Sequence, residues 1–144
     1  LQLAGTWPER FAVCDDVLSR LVSGDVVGPE LRHSWRLLVS SGGTAPVTEL
    51  AEATGWTRQH LARRFRDEFG LTPKLAGRVV RFERARRLLE ASPSLSIARV
   101  AAECGYYDQA HLTRDVVELA GCPPTRLRSE DEVPSVQDTA RGDA

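Results

Sequence analysis

From Val47 to Arg128 apolar residues recur at intervals of three and four, short turns interrupt them, and no stretch alternates apolar with polar as a strand does. The pattern predicts an all-α body. Upstream, Phe11, Cys14, Leu18 and Leu21 share one stripe of a helix over about 8–23, with Pro8 in its first turn and Gly24 as its stop. A second helix is predicted over about 29–41, where Leu31, Trp35 and Leu38 stand at i, i+4 and i+7 and Gly42-Gly43 ends it. A longer helix is predicted over about 73–91. Its apolar contacts are Leu75, Val79, Phe82, Leu88 and Leu89, while Arg78, Arg81, Arg84 and Arg87 lie along another side. Those four arginines form either a solvated face or one that meets phosphates.

The middle of the chain repeats itself. Leu50-Ala51 and Gly55 match Val100-Ala101 and Gly105 at an offset of 50; HLAR at 60–63 then matches HLTR at 111–114 at an offset of 51, as Gly70 and Pro73 match Gly121 and Pro124. Each copy places an Ala inside a short helix, a Gly in the following turn and a Leu on the inner face of a second helix. Two helices that cross steeply need a small residue at their approach, and the tight turn needs a residue that tolerates positive φ. The unit is therefore a helix-turn-helix, with Thr57 and Asp108 as caps of the second helices. Leu61 and Phe65, like Leu112 and Val116, are spaced to anchor those helices to a core. The opposite face carries Gln59, Ala62, Arg63 and Arg66 in the first copy and Ala110, Thr113, Arg114 and Val117 in the second; Gln109 stands where the first copy has Arg58. Gln and Arg make bidentate contacts with adenine and guanine edges, and Thr serves a thymine methyl or a phosphate.

Charge sharpens this reading. The net charge is −1, yet residues 45–128 hold fourteen basic side chains against ten acidic ones, and residues 129–144 hold one against five. A basic body thus carries an acidic tail, SEDEVPSVQDTARGDA, whose composition predicts disorder. Eighteen of the nineteen basic residues are Arg, whose planar donor fork suits phosphate and guanine. Three cysteines without CxxC spacing give neither a disulfide framework nor a structural zinc site, which fits a reducing cytoplasm. No apolar run approaches the roughly 18 residues that span a bilayer. The chain begins at Leu1 and contains no Met, as a piece of a longer protein would.

One stretch suggests other chemistry. CGYYDQAHLTRD gathers Cys104, Asp108 and His111 within eight residues, as a metal half-site or a thiol with its base would. The repeat argues otherwise: His111-Leu112 aligns with His60-Leu61 while Cys104 aligns with Thr54, so the histidine recurs without a thiol. No Gly-rich phosphate loop or paired-carboxylate motif accompanies the stretch, and no enzymatic activity is expected. Trp56 and Tyr106 follow the turn glycines and are expected to pack between helices rather than to stack on bases.

ELAEATGWTRQHLARRFRDEFGLTP, the connecting RFERARRLL, and IARVAAECGYYDQAHLTRDVVELAGCPP together resemble the C-terminal DNA-binding domain of AraC/XylS-family transcription regulators. The resemblance covers about residues 45–128. It implies a homeodomain-like, seven-helix fold in which two helix-turn-helix units on a long linker helix enter successive major grooves of double-stranded DNA. Carried onto this chain, the base-reading positions are Gln59 and Arg63 in the first unit and Gln109, Ala110, Thr113 and Arg114 in the second. Arg66 falls on a position that touches the DNA backbone, and Arg58 is grouped with this face. Where the first unit has Arg64-Phe65-Arg66 the second has Asp115-Val116-Val117, so weaker binding is expected there, from a lost phosphate contact and an added acid. Three segments are expected: an N-terminal helical pair over 1–43, the double helix-turn-helix over 44–128, and the acidic tail over 129–144. A cytoplasmic regulator without cofactor or metal is implied, with RNA polymerase and a second copy, paired through an upstream domain, as further partners. The alternative is a protein-interaction module that kept the fold and lost most DNA affinity.

Overall fold

Four of the helices begin where a side chain accepts one of the free N–H groups of the first turn. Thr57 accepts from the His60 N–H at 3.1 Å, Thr72 from Leu75 at 3.2 Å, Ser96 from Arg99 at 3.1 Å and Asp108 from His111 at 2.7 Å. The computed structural model describes residues 27–129, and among them there are seven helices and no strand. They are α1 (Pro29–Ser40), α2 (Val47–Thr54), α3 (Arg58–Phe69), α4 (Pro73–Ala91), α5 (Ile97–Glu103), α6 (Gln109–Ala120) and α7 (Pro124–Ser129). The helices expected over 29–41 and 73–91 correspond to α1 and α4. The helix expected over 8–23 and nearly all of the acidic tail lie outside the described residues.

Two apolar cores form, one at each end of α4. The first gathers Leu31, Trp35 and Leu38 of α1, Leu50 and Ala51 of α2, Leu61, Phe65 and Phe69 of α3, and Ala76 of α4. Trp35 leans on both phenylalanines, with ring centroids 6.3 Å from Phe65 and 5.1 Å from Phe69. The buried Ser34 hydroxyl donates to the Leu50 carbonyl at 3.3 Å and so ties α1 to α2 without leaving a polar atom unpaired. The second core gathers Phe82, Ala85 and Leu89 of α4, Val100 and Ala101 of α5, Leu112, Val116 and Leu119 of α6, and Leu127 of α7. α1 is thus a working part of the first core, which runs across the expected division at residue 43.

Two close approaches hold the ends of the molecule to α4 and to each other. A Cβ on Gly43 would lie 2.2 Å from the Gly77 carbonyl oxygen and 2.8 Å from the Arg81 nitrogen, so the loop after α1 presses directly on the α4 backbone. A Cβ on Gly105 would lie 2.5 Å from Cγ2 of Thr44. The second unit's turn therefore abuts a loop of the first unit, whereas the equivalent Gly55 has nothing within 4 Å of that position.

The two turn glycines have nearly the same backbone, φ 71° at Gly55 and 76° at Gly105. Gly55→Ala is expected to cost about 1–2 kcal/mol through the left-handed backbone alone. Gly105→Ala adds a clash with Cγ2 of Thr44, an exposed side chain that must shift, and is expected to lose measurably more. Urea denaturation of the two variants side by side checks this; equal losses would remove the inter-unit contact from the account.

Candidate nucleic-acid interface

The pairs α2–α3 and α5–α6 are the two helix-turn-helix units. Ala51 and Ala101 are buried at the crossings, as small residues there must be. After each turn glycine an aromatic ring meets a histidine of the second helix edge-on: Trp56 with His60 at 4.7 Å and Tyr106 with His111 at 5.0 Å. These ring pairs bring the turn down onto the second helix in the same way in both units. The sequence shows the histidine as a recurring position but not its partner. The two aromatics are packed as expected, Tyr106 buried and Trp56 half-buried.

With Leu61, Phe65 and Phe69 turned into the core, α3 presents Arg58, Gln59, Arg63 and Arg66 to solvent. With Leu112, Val116 and Leu119 inward, α6 presents Gln109, Ala110 and Arg114, with Thr113 half-buried beside them. All eight candidate residues therefore lie on the two outward faces, one face per unit. Their chemistry differs. α3 carries three arginines on that face, and a fourth, Arg64, lies with its guanidinium carbon 6.0 Å from the Trp56 ring centroid. α6 carries only Arg114, and at the position of Arg66 it shows Val117, which is 47% exposed. Tyr107, just before the Asp108 cap, is 93% exposed and is a surface aromatic that the repeat did not single out.

The acid expected near the DNA backbone points the other way. Asp115 is 5% exposed, and its Oδ1 accepts from Nη2 of Arg78 on α4 at 2.9 Å. The inner face of α6 takes it because the linker helix offers a guanidinium there. Arg78 also donates to Glu118 at 2.8 Å; the Glu118 bond, and secondarily that to Asp115, raises the guanidinium's already high pKa against the opposing effect of burial. The other arginines of the α4 stripe also have contacts within the chain, with Arg81 half-buried and Arg84 and Arg87 exposed. Arg81 sits 5.1 Å from the Tyr106 ring centroid, Arg84 lies against Gly42, and Arg87 donates to Glu83 at 2.9 Å. These contacts give Arg78 and Arg81 a structural role, while Arg84 and Arg87 face solvent.

Cys104, Asp108 and His111 do not converge. The Cys104 thiol is fully buried, and burial pushes its pKa up, away from a reactive thiolate. Asp108 is occupied as the α6 cap, and His111 accepts the Tyr107 N–H on Nδ1 at 3.3 Å. Among the described residues no group of three or more His, Cys, Asp or Glu side chains is placed to hold a metal ion. No helix among them is long and apolar enough to cross a membrane.

A family profile described as a helix-turn-helix domain matches residues 50–130. A helix-turn-helix-type transcriptional regulator of Mycobacterium tuberculosis is 32% identical over 88 residues, which is 61% of this chain and 34% of that protein. An uncharacterized regulator of the same type from Bacillus subtilis is 33% identical over 66 residues, 46% of this chain and 23% of its own length. The chain spans about a third of the first relative's length and under a quarter of the second's. Among solved structures, the C-terminal domain of the response regulator AraT from Geobacillus stearothermophilus superposes with a TM-score of 0.67 at 21% identity, covering 79% of this chain and 95% of that one. The DNA-binding domain of AdpA, a global transcriptional factor solved with a target DNA, superposes with a TM-score of 0.65 at 26% identity, covering 70% and 91%.

Burial of Cys104 has a direct chemical consequence. Iodoacetamide alkylation mapped by mass spectrometry is expected to leave Cys104 unmodified in the folded protein and to label it fully in urea. Rapid labelling under native conditions would contradict its place in the second core.

Proposed function

The chain belongs to the AraC-type family of helix-turn-helix domains, and from that membership we propose that it binds double-stranded DNA sequence-specifically and regulates transcription. The observation that carries this reading is the recurrence of Arg63 and Arg114 at equivalent, exposed positions on α3 and α6, each on the face opposite a packed Leu-rich side. α4 is a continuous rod of 19 residues, about 28 Å long, between the two units. That length is on the scale of one turn of B-DNA, roughly 34–36 Å, so the two helices can address successive major grooves from one side of the duplex.

The roles follow from side-chain geometry. Arg63 and Arg114 have the fork for guanine O6 and N7, Gln59 and Gln109 the paired donor and acceptor for adenine, and Ala110 and the Thr113 methyl can meet a thymine methyl. Arg58 and Arg66 supply positive charge for phosphates, which orients the protein without reading sequence. The reading is one of binding rather than catalysis, in the cytoplasm. RNA polymerase, and a second copy joined through a domain beyond this chain, are the partners proposed for the whole protein. The single arginine on the α6 face favours a second reading, a protein-interaction module with little DNA affinity. Counterion release separates the two, since only DNA binding weakens steeply with added salt.

On a duplex selected from a random library, Arg63→Ala and Arg114→Ala are each expected to lower affinity by about 1–3 kcal/mol and to relax base preference within one half-site. Arg66→Ala is expected to weaken all duplexes alike and to reduce the salt slope by about one. Fluorescence-anisotropy titrations at several salt concentrations measure both effects. Unchanged affinity in both arginine variants would remove them as reading residues, and no duplex affinity at low salt would leave the interaction-module reading.

A further inference from the structure

Apolar packing sets α6 against α4 with a preferred crossing. A polar clasp adds a directional constraint to it. The Arg78 guanidinium meets two carboxylates one helical turn apart on α6: Nη2 and Nε reach Asp115 Oδ1 at 2.9 and 3.3 Å, while Nη2 and Nη1 reach Glu118 Oε2 and Oε1 at 2.8 and 3.4 Å. A planar fork held by two acceptors fixes orientation as well as distance. Asp115 has 8% of its side chain exposed and Arg78 23%, so this ion pair is shielded from the solvent screening that weakens surface pairs.

The first unit has no counterpart. At the position of Asp115 it carries Arg64, which is exposed and turned toward Trp56 instead of α4. On that side α4 is met instead by α1 and its loop, through the backbone approach of Gly43 to Gly77 and the packing of Leu38 within 3.5 Å of the Gly77 Cβ position. Around the second unit the clasp is joined by Arg81 over the Tyr106 ring and by Thr44 against Gly105. These contacts leave α6 little freedom to pivot about α4.

We propose that Arg78, through its ion pairs with Asp115 and Glu118, is a positioning residue that fixes the spacing and phase of α6 relative to α3, so that the protein selects operators by the separation of their half-sites. The proposal rests on the DNA-binding reading. Arg78 touches no base or phosphate in this scheme; it sets where the α6 face stands. Inserting one base pair between half-sites moves the second by about 3.4 Å and turns it by about 34°. A rigid protein cannot follow both changes, and it loses the gain of simultaneous engagement, which is about 10²–10⁴-fold for linked sites.

The test uses the full chain and a duplex selected for tight binding, with none, one or two base pairs inserted between its half-sites. Arg78→Ala alone leaves Asp115 buried and unpaired, which threatens folding. The informative variant is therefore Arg78→Met with Asp115→Leu, which removes the buried carboxylate together with its half-buried guanidinium partner and leaves the outward faces of α3 and α6 untouched. Wild type is expected to lose on the order of a hundredfold on a one-base-pair insertion. The double variant is expected to lose less than about tenfold, with its affinity for each isolated half-site and its circular dichroism unchanged. The same insertion penalty in the double variant, or none in the wild type, would overturn the proposal while leaving DNA binding in place. Absence of any selectable duplex would instead overturn the DNA-binding reading, and the positioning role with it.

Discussion

A single helix, α4, is built into two separate cores, and the rest of the fold depends on that sharing. Its first part contributes Ala76 to the core of α1, α2 and α3; its second part contributes Phe82, Ala85 and Leu89 to the core of α5, α6 and α7. A continuous helix transmits position along its length because each backbone hydrogen bond restrains the next turn. Displacing one core relative to the other requires breaking that ladder or pulling buried side chains out of place. Gly77 sits inside this rod, where a glycine is otherwise unfavourable by about 1 kcal/mol relative to Ala. Its lack of a side chain is what lets the Gly43 carbonyl come so close.

The two helix-turn-helix units are the same scaffold with different surfaces. The positions that recur are those for which geometry leaves few choices: a small residue at the crossing, a glycine in the turn, a leucine on the inner face, an aromatic ring above a histidine. The outward positions have no such constraint, and they diverge from Arg58, Gln59 and Arg66 to Gln109, Ala110 and Val117. The two outward faces thus differ in charge, with three arginines on that of α3 against one on that of α6.

Electrostatic bookkeeping by sequence overstates the basic surface. Of the arginines in residues 45–128, Arg78, Arg86, Arg87 and Arg99 are paired with carboxylates, and Arg81 lies over an aromatic ring. Arg58, Arg63 and Arg66 form no ion pair with a carboxylate among the described residues, and they cluster on one face of α3. Exposed arginines thus cluster most closely on α3, with Arg84 also exposed on α4 and Arg114 on α6. Asp115, which by position looked like a repulsive charge near DNA, is turned inward and paired with Arg78.

The sequence by itself determined the elements and their pairing. Periodicity placed α1 and α4, the internal repeat located both turns, and cap chemistry at Thr57 and Asp108 set where α3 and α6 begin, because all of these are short-range rules that act within a few residues. It also determined which side of each recognition helix faces out, since Leu61 and Phe65, or Leu112 and Val116, can face only a core. What the tertiary structure decided was where long side chains find partners. Arg78 meets Asp115 across 37 positions of chain, and Thr44 meets Gly105 across 61; α1 packs into the first core. An arginine in a helical stripe reads the same whether it faces solvent, phosphate or a buried carboxylate, because its local periodicity is identical in all three cases. Only the folded arrangement of the neighbouring helix distinguishes them.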